Sequence, residues 1–187
     1  MIKKIFLFVI AFTLISFNSG DLEIGGITMP DTIKAGKTDL ILNGAGIRTK
    51  FFLKLYVGGL YLQNKTTDAS IVLSEDKPMA IRLHIISSMI TSEKMEDATR
   101  EGFKNSLGSK MSSMSSEIEA FISVFKEEIK DGDVFNMFYI PGIGVEIYKN
   151  DKHSETIKGL AFKNALFGIW IGNKPAQDSL KEGMLGK

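Results

Sequence analysis

Arg48 is the residue of this sequence best placed to bind an anion. It follows the glycine-containing segment 43–46, which we interpret as a turn, and it opens the aromatic-rich segment 48–62. Alternate residues of a β-strand share one face, so an unbroken strand would place four further side chains on the face of Arg48. These are Lys50, Phe52, Lys54 and Tyr56. A cation beside aromatic rings could hold a carboxylate or an enolate while the rings contact its carbon skeleton.

Spacing alone also allows a simpler interpretation, in which Arg48 and Lys50 are solvent-facing strand ends. That is the more common position for charged side chains in a strand. The orientation of Lys50 and Tyr56 depends on the strand register, because a slip of one residue would turn both to the opposite face.

Other residues that could do chemistry form no comparable pattern. His84 and His153 are the only histidines, and neither has a partner at a metal-ligand spacing. The chain has no cysteine, which excludes disulfides, thiolate zinc sites and a cysteine nucleophile. Gly44 and Gly46 lack the third glycine of a dinucleotide fingerprint, and there is no G-x-S-x-G motif. We therefore expect no metal and no cofactor.

The hydrophobic pattern predicts strands early in the chain, helices in the middle, then a hairpin and further helices. This order favours an α+β fold with an antiparallel sheet covered by helices, rather than repeated βαβ units. The segment 48–62 is one long strand, or two strands bent at Gly58-Gly59. The other predicted strands are 22–29, 39–42, 79–87, 134–140 and 145–149, and the predicted helices are 92–107, 116–129, 162–171 and 175–185.

Size and charge limit the function classes. The chain has 187 residues and a net charge of +1, with 23 basic and 22 acidic residues. This length suits one domain, or one domain with a targeting segment. A nearly neutral chain gives no electrostatic reason to expect nucleic-acid binding, which needs a clustered basic face.

Residues 1–20 have the pattern of a secretory signal peptide. Lys3 and Lys4 precede an apolar run, 5–17, and the small or polar residues of 18–20 suit a cleavage region. The run is shorter than the roughly 20 residues of a spanning helix. We expect a domain at 21–187, a periplasmic or secreted location, and no stable membrane insertion after cleavage. An uncleaved membrane anchor and a buried N-terminal helix are the alternatives.

Two segments resemble the chalcone isomerase-like family, in particular its secreted bacterial branch. Segment 42–62 (LNGAGIRTKFFLKLYVGGLYL) resembles the strand in which a Gly-x-Gly-x-Arg turn leads to Gly-x-Tyr-Leu. Segment 162–185 (FKNALFGIWIGNKPAQDSLKEGML) resembles the family's late helix and its I-W-x-G-x-K-P run. The resemblance implies an open-faced β-sandwich, an antiparallel sheet with a helical layer and a ligand cleft between them.

The same resemblance implies that Arg48 contacts a ligand anion, as the arginine of the plant enzymes does. The other polar catalytic positions of those enzymes are not kept. Their threonine falls on Tyr56, their tyrosine on Met95 and their asparagine near Gly102. Met95 cannot donate a hydrogen bond and Gly102 has no side chain, so the catalytic set is incomplete. Tyr56, Tyr61 or Tyr139 would have to substitute.

Three functions remain open at this point. The first is an exported, non-catalytic protein that binds a small apolar acid such as a fatty acid. Its expected ligand contacts are Arg48, Lys50, Phe52, Tyr56, Tyr61 and Met95. The second is an isomerase of chalcone isomerase type acting on an enone-like substrate. The third is a structural or interaction module whose cavity is filled by its own side chains.

Overall fold

The computed structural model describes residues 20–187. The predicted signal peptide lies outside the described residues, apart from Gly20. Within 20–187, no helix combines the length and apolar character needed to cross a bilayer.

Residues 20–187 form nine strands and five α-helices. The strands are β1 (Leu22–Ile24), β2 (Ile27–Met29), β3 (Thr32–Ala35), β4 (Thr38–Lys50), β5 (Leu53–Leu62), β6 (Met79–Ile85), β7 (Val134–Ile140), β8 (Gly144–Lys149) and β9 (Lys152–Ile157). The helices are α1 (Ala69–Ser74), α2 (Ser92–Leu107), α3 (Ser115–Ser123), α4 (Leu160–Ile171) and α5 (Asp178–Met184), with a 3₁₀ segment at Gly108–Met114.

Strands β3 to β9 form one antiparallel sheet in chain order, and β1 and β2 form a separate hairpin. Every strand of the large sheet pairs with its sequence neighbour, so short connections suffice throughout most of it. The predicted α+β class, with an antiparallel sheet covered by a helical layer, is confirmed.

The two faces of the sheet carry two different apolar clusters. The larger cluster lies between the sheet and the helices, and it includes α4 almost entirely. The smaller cluster lies on the opposite face and includes Met29, Leu40, Val57 and Tyr61. Because neighbouring residues of β5 point to opposite faces, Tyr56 joins the first cluster and Tyr61 the second.

Lys163 is a charged residue buried completely inside the helical layer. Its Nζ donates to the carbonyl oxygens of Val72, Leu73 and Glu75 at 2.8, 3.0 and 2.9 Å. These carbonyls lie at the C-terminal end of α1, where four carbonyls lack helical partners. The lysine therefore caps α1 from α4 and fixes the connection between β5 and β6.

The structure corrects two predictions about segment 43–62. Residues 43–46 are not a turn but part of β4, and β5 continues through Gly58-Gly59 without ending. The chain instead reverses at Phe51 and Phe52, whose φ angles are 49° and 66°. The expected alignment of Arg48, Lys50, Phe52, Lys54 and Tyr56 on one strand is therefore wrong. Hydrophobic pattern cannot reveal this turn, because two phenylalanines occupy it where Asn-Gly is usual.

Candidate functional site

Arg48 and Tyr56 face each other across β4 and β5. They are paired residues of the antiparallel ladder, and side chains of such pairs lie on the same face of the sheet. Beside them the register shifts, because Thr49 pairs with Lys54 and leaves Leu55 as an extra residue. Such a bulge increases the local twist and redirects side chains near the end of the strands. It lies directly beside the candidate anion contact.

The Arg48 guanidinium is held from one side only. Its Nη1 donates to the carbonyl oxygen of Thr49 at 2.7 Å and to Oε1 of Gln177 at 2.9 Å. Among the described residues, Nε and Nη2 have no acceptor, and the residue is half-buried. Two parallel N–H groups on one edge match the two oxygens of a carboxylate. Arg48 therefore presents a free bidentate edge.

Tyr56 supplies a second polar group on the same face of the sheet as Arg48. Its buried hydroxyl accepts a hydrogen bond from Nε1 of Trp170 at 3.0 Å. Burial raises the pKa of Tyr56, while the bond from Trp170 and the charge of Arg48 act in the opposite direction. The phenol is thus neutral at physiological pH. Its proton has no acceptor among residues 20–187, so it is available to a ligand oxygen.

Gln177 positions Arg48 from the segment that precedes α5. Its Oε1 also accepts the backbone N–H of Thr49 at 2.9 Å, and its Nε2 donates to the carbonyl oxygen of Ile47 at 3.3 Å. One amide side chain therefore joins the end of β4 to the start of α5.

Glycines allow α5 to lie directly on β4. A Cβ at Gly44 would stand 2.3 Å from the carbonyl oxygen of Gly183, and one at Gly46 would stand 2.9 Å from that of Leu180. Both approaches are backbone against backbone, so neither position tolerates a side chain without a shift of the helix. Close backbone approach, rather than a turn, is therefore the reason for glycine at these two positions.

The apolar side of the site is formed by the helical layer. Trp170 of α4 and Met95 of α2 are buried members of the same apolar cluster as Tyr56. At Gly102 of α2, a Cβ would stand 2.6 Å from Cγ2 of Ile169. Close packing of α2 against α4 therefore leaves no room for the polar side chain that the plant enzymes were inferred to carry near this position.

The structure brings together only part of the predicted ligand set. Arg48 and Tyr56 are neighbours, and Met95 belongs to the same cluster. Lys50 and Phe52 are exposed at the hairpin turn, and Tyr61 is buried on the opposite face, where its hydroxyl donates to the carbonyl oxygen of Pro30. The turn at Phe51–Phe52 and the alternation along β5 account for this separation.

Sequence reasoning missed the roles of Gln177 and Trp170. Both lie more than a hundred residues from their partners Arg48 and Tyr56 in the chain, so no local spacing connects them. The only signal was the segment 162–185, which contains both residues and supports the family resemblance.

Two surface clefts lie elsewhere. One, of about 470 Å³, lies between the C-terminal end of α2, the 3₁₀ segment and α3. The other, of about 250 Å³, lies between the end of β5 and α1. Neither borders Arg48. In the part of the chain that the structure describes, no group of three or more His, Asp or Glu residues is arranged to hold a metal ion.

Two comparisons with known proteins point to the same fold. A family model described as chalcone isomerase-like matches residues 21–186. Among solved structures, the crystal structure of a fatty-acid binding protein of Arabidopsis thaliana superposes with a TM-score of 0.69 at 21% identity. The match covers 86% of this chain and 92% of that one, which shows a common fold. No similar protein was found among curated sequences.

Proposed function

Because the chain belongs to the chalcone isomerase-like family, we propose that it is an exported protein that binds a small apolar acid such as a fatty acid. One observation carries the proposal. The half-buried guanidinium of Arg48 has a free Nε–Nη2 edge, and Tyr56, whose phenol is neutral, is its partner across β4 and β5. Two N–H groups and one O–H group are a donor set suited to a carboxylate.

The head group alone cannot account for useful affinity. Hydrogen bonds to a charged group contribute about 1.5–3 kcal/mol each. Association costs about 4 kcal/mol or more in lost translation and rotation, which offsets much of that gain. Burial of a hydrocarbon tail adds about 0.8 kcal/mol per CH₂, so an acid of many carbons should bind far more tightly than acetate.

The tail would lie between the sheet and the helices, next to Trp170 and Met95. These side chains are packed together in the described structure, so a tail can enter only if they move apart. Methionine adapts well to such a change because its side chain is unbranched and polarizable. The Arabidopsis protein of the same fold is a fatty-acid binding protein, which supports a ligand of this class here.

An isomerase would use the same cation for a different purpose, to hold an enolate. Ring closure also needs donors for a ketone or a water network. Met95 offers none, and Gly102 is closed by Ile169. Turnover of a chalcone that is abolished by Arg48→Ala would establish this alternative in place of binding.

The interaction module is favoured by one observation, the close packing where the tail would lie. Trp170 and Met95 pack in the same cluster as Tyr56, and Nε1 of Trp170 is hydrogen-bonded to the Tyr56 hydroxyl. In that alternative, no apolar acid should displace them.

Export is part of the proposal because of the pattern of residues 1–20. The family match begins at residue 21, which supports a boundary between a signal peptide and a domain at this position. We expect the processed protein in the periplasm or the medium. Fractionation of cells followed by intact mass measurement tests this, and a cytoplasmic chain that retains residues 1–20 would refute it.

A fluorescence titration with palmitate tests the binding. Trp170 is the only tryptophan of the chain, and it is bonded to the proposed carboxylate contact, so its emission reports on the site. Truncating a buried partner of a charge pair costs about 2 kcal/mol or more, so Arg48→Ala should weaken binding by about thirtyfold.

Lys50→Ala is the matched control, because it removes an exposed cation two residues away. It should leave the dissociation constant nearly unchanged. Equal dissociation constants for the wild type and Arg48→Ala would refute the role of Arg48.

A further inference from the structure

The turn between β4 and β5 carries an exposed apolar surface that the ligand site does not use. We define the hairpin tip as Lys50, Phe51, Phe52, Leu53 and Lys54. Phe51 is 83% exposed and Phe52 is fully exposed, and Leu53 is also exposed. Single exposed apolar residues are common on protein surfaces. Three consecutive ones at the turn that joins two strands form a candidate interaction surface.

The backbone of the hairpin tip makes the two phenylalanines more unusual. Both have left-handed φ angles, 49° and 66°. A two-residue hairpin turn of this shape favours Asn-Gly, because bulky side chains are strained at positive φ. The tip therefore carries large aromatic residues where small ones would stabilise the fold better. Strain retained at an exposed position points to a function outside the fold.

The charges around the tip indicate the chemistry of its partner. Segment 48–54 carries three cations, Arg48, Lys50 and Lys54, and no carboxylate. Lys50 and Lys54 are exposed on either side of the aromatic pair. One acidic residue, Asp178 at the start of α5, follows Gln177, which contacts Arg48. A pair of exposed phenylalanines between two lysines matches a lipid layer that has an apolar interior and anionic head groups.

Another exposed apolar residue lies at the same end of the sheet. The backbone N–H of Ile86 donates to the carbonyl oxygen of Leu55 at 3.0 Å, so the loop after β6 starts beside the hairpin tip. This loop contains Met89, which is about half exposed. Lys94 donates to the carbonyl oxygen of Met89 and adds another cation there.

From these observations we propose that the hairpin tip docks the protein on the surface of an anionic phospholipid bilayer. The two phenylalanines enter the head-group region, and Lys50 and Lys54 contact lipid phosphates. The attachment is peripheral and reversible, and it does not depend on the ligand site. If the proposed fatty-acid binding also holds, docking places Arg48 close to the bilayer, where such an acid would be exchanged.

Co-sedimentation with lipid vesicles tests the proposal. The protein as recovered from exporting cells is mixed with vesicles of phosphatidylcholine alone or with phosphatidylglycerol added. We expect binding to the anionic vesicles that falls as salt is raised. The double variant Phe51→Asn/Phe52→Asn should reduce the partition coefficient by about tenfold or more, because it removes the apolar contact. Asparagine suits the left-handed turn, so this variant should fold at least as well as the wild type.

Charge and position are tested separately. Lys50→Gln/Lys54→Gln should reduce binding to anionic vesicles by about fivefold per lysine and leave binding to neutral vesicles unchanged. Ile143→Asn is the control, because Ile143 is an exposed apolar residue at the β7–β8 turn, at the opposite end of the sheet. It should bind like the wild type.

Two results would overturn the proposal. One is wild-type binding that is no stronger on anionic than on neutral vesicles. The other is undiminished binding by the phenylalanine double variant. A change in oligomeric mass on loss of the phenylalanines, with no change in vesicle binding, would assign the tip to self-association instead.

Discussion

Lys163 offers the sharpest prediction about what holds the helical layer together. The change Lys163→Met keeps a long unbranched side chain but removes the cation. Three carbonyl oxygens at the end of α1 then lose their donor, and each lost bond costs about 1 kcal/mol. Methionine does not have to bury a charge, which offsets part of this loss. The net loss at pH 7 should be about 1–3 kcal/mol in the free energy of unfolding.

The pH dependence distinguishes this account from a simple packing defect. Burial lowers the pKa of Lys163 to about 8, against the attraction of Asp76 and Glu75. Its ordinary value is 10.5. The folded state therefore releases the proton near pH 8 while the unfolded state still holds it, so stability rises with pH in this window. Between pH 7 and 9.5 the gain should be about 2 kcal/mol for the wild type.

Urea denaturation at pH 7 and pH 9.5, followed by the fluorescence of Trp170, measures both effects. The difference in the free energy of unfolding between the wild type and Lys163→Met should be about 2 kcal/mol larger at pH 9.5 than at pH 7, because only the wild type has the lysine. The measurements stay below pH 10 to avoid the ionisation of the tyrosines. Burial raises the pKa of Tyr61 and Tyr139 in the folded state, so above pH 10 these residues would make stability fall with pH. Lys158→Met is an exposed control and should change stability by less than about 0.5 kcal/mol. If the free energy of unfolding changes by the same amount in the wild type and in Lys163→Met between pH 7 and pH 9.5, the pKa assigned to Lys163 is refuted.

Two further predictions concern the site and the helix that positions it. Gly44→Ala should cost about 3 kcal/mol or more, because its Cβ would meet the backbone of α5. Gly58→Ala on the neighbouring strand should cost less, because its Cβ would meet only the ends of flexible side chains. Equal losses of unfolding free energy for the two variants in denaturant titrations would contradict this reasoning. Tyr56→Phe leaves Nε1 of Trp170 without its acceptor and should cost about 1–3 kcal/mol. The same variant should weaken palmitate binding in the fluorescence titration, and an unchanged affinity would remove Tyr56 from the carboxylate site.

The family and the fold could be predicted because their signals are local. The segments 42–62 and 162–185 are each contiguous in the chain. Thr91 caps α2, since its Oγ1 accepts the N–H of Lys94. Ser116 and Glu119 have the spacing of a capping box, but α3 begins without a side-chain cap and the Ser116 hydroxyl donates to Glu117 instead.

The missed elements are those that hydrophobic pattern describes poorly. Strands β3 and β9 lie at the two edges of the sheet. β3 has only four residues, and β9 is mostly polar and exposed, so neither gives a strong apolar signal. Pairing with their neighbours, rather than sequence, makes them strands. Helix α1 has only six residues, and the distant Lys163 holds its end.

The candidate site was only half predictable for a related reason. Arg48 and Tyr56 follow from the family resemblance, whereas the alignment on one strand is wrong, because the two residues lie on paired strands. The contacts of Gln177 and Trp170 arise only when α4 and α5 pack on the sheet. Lys50 and Phe52 were assigned to the ligand because the turn at Phe51 and Phe52 has no polar or glycine signal.

Native mass spectrometry tests the central claim most directly, with protein purified gently from cells. The wild type and the control Lys50→Ala should carry a carboxylic acid of long-chain mass, and Arg48→Ala should not. The same acid retained by Arg48→Ala would contradict the proposed site. A wild type that carries no acid and gains none when palmitate is added would contradict the binding function itself.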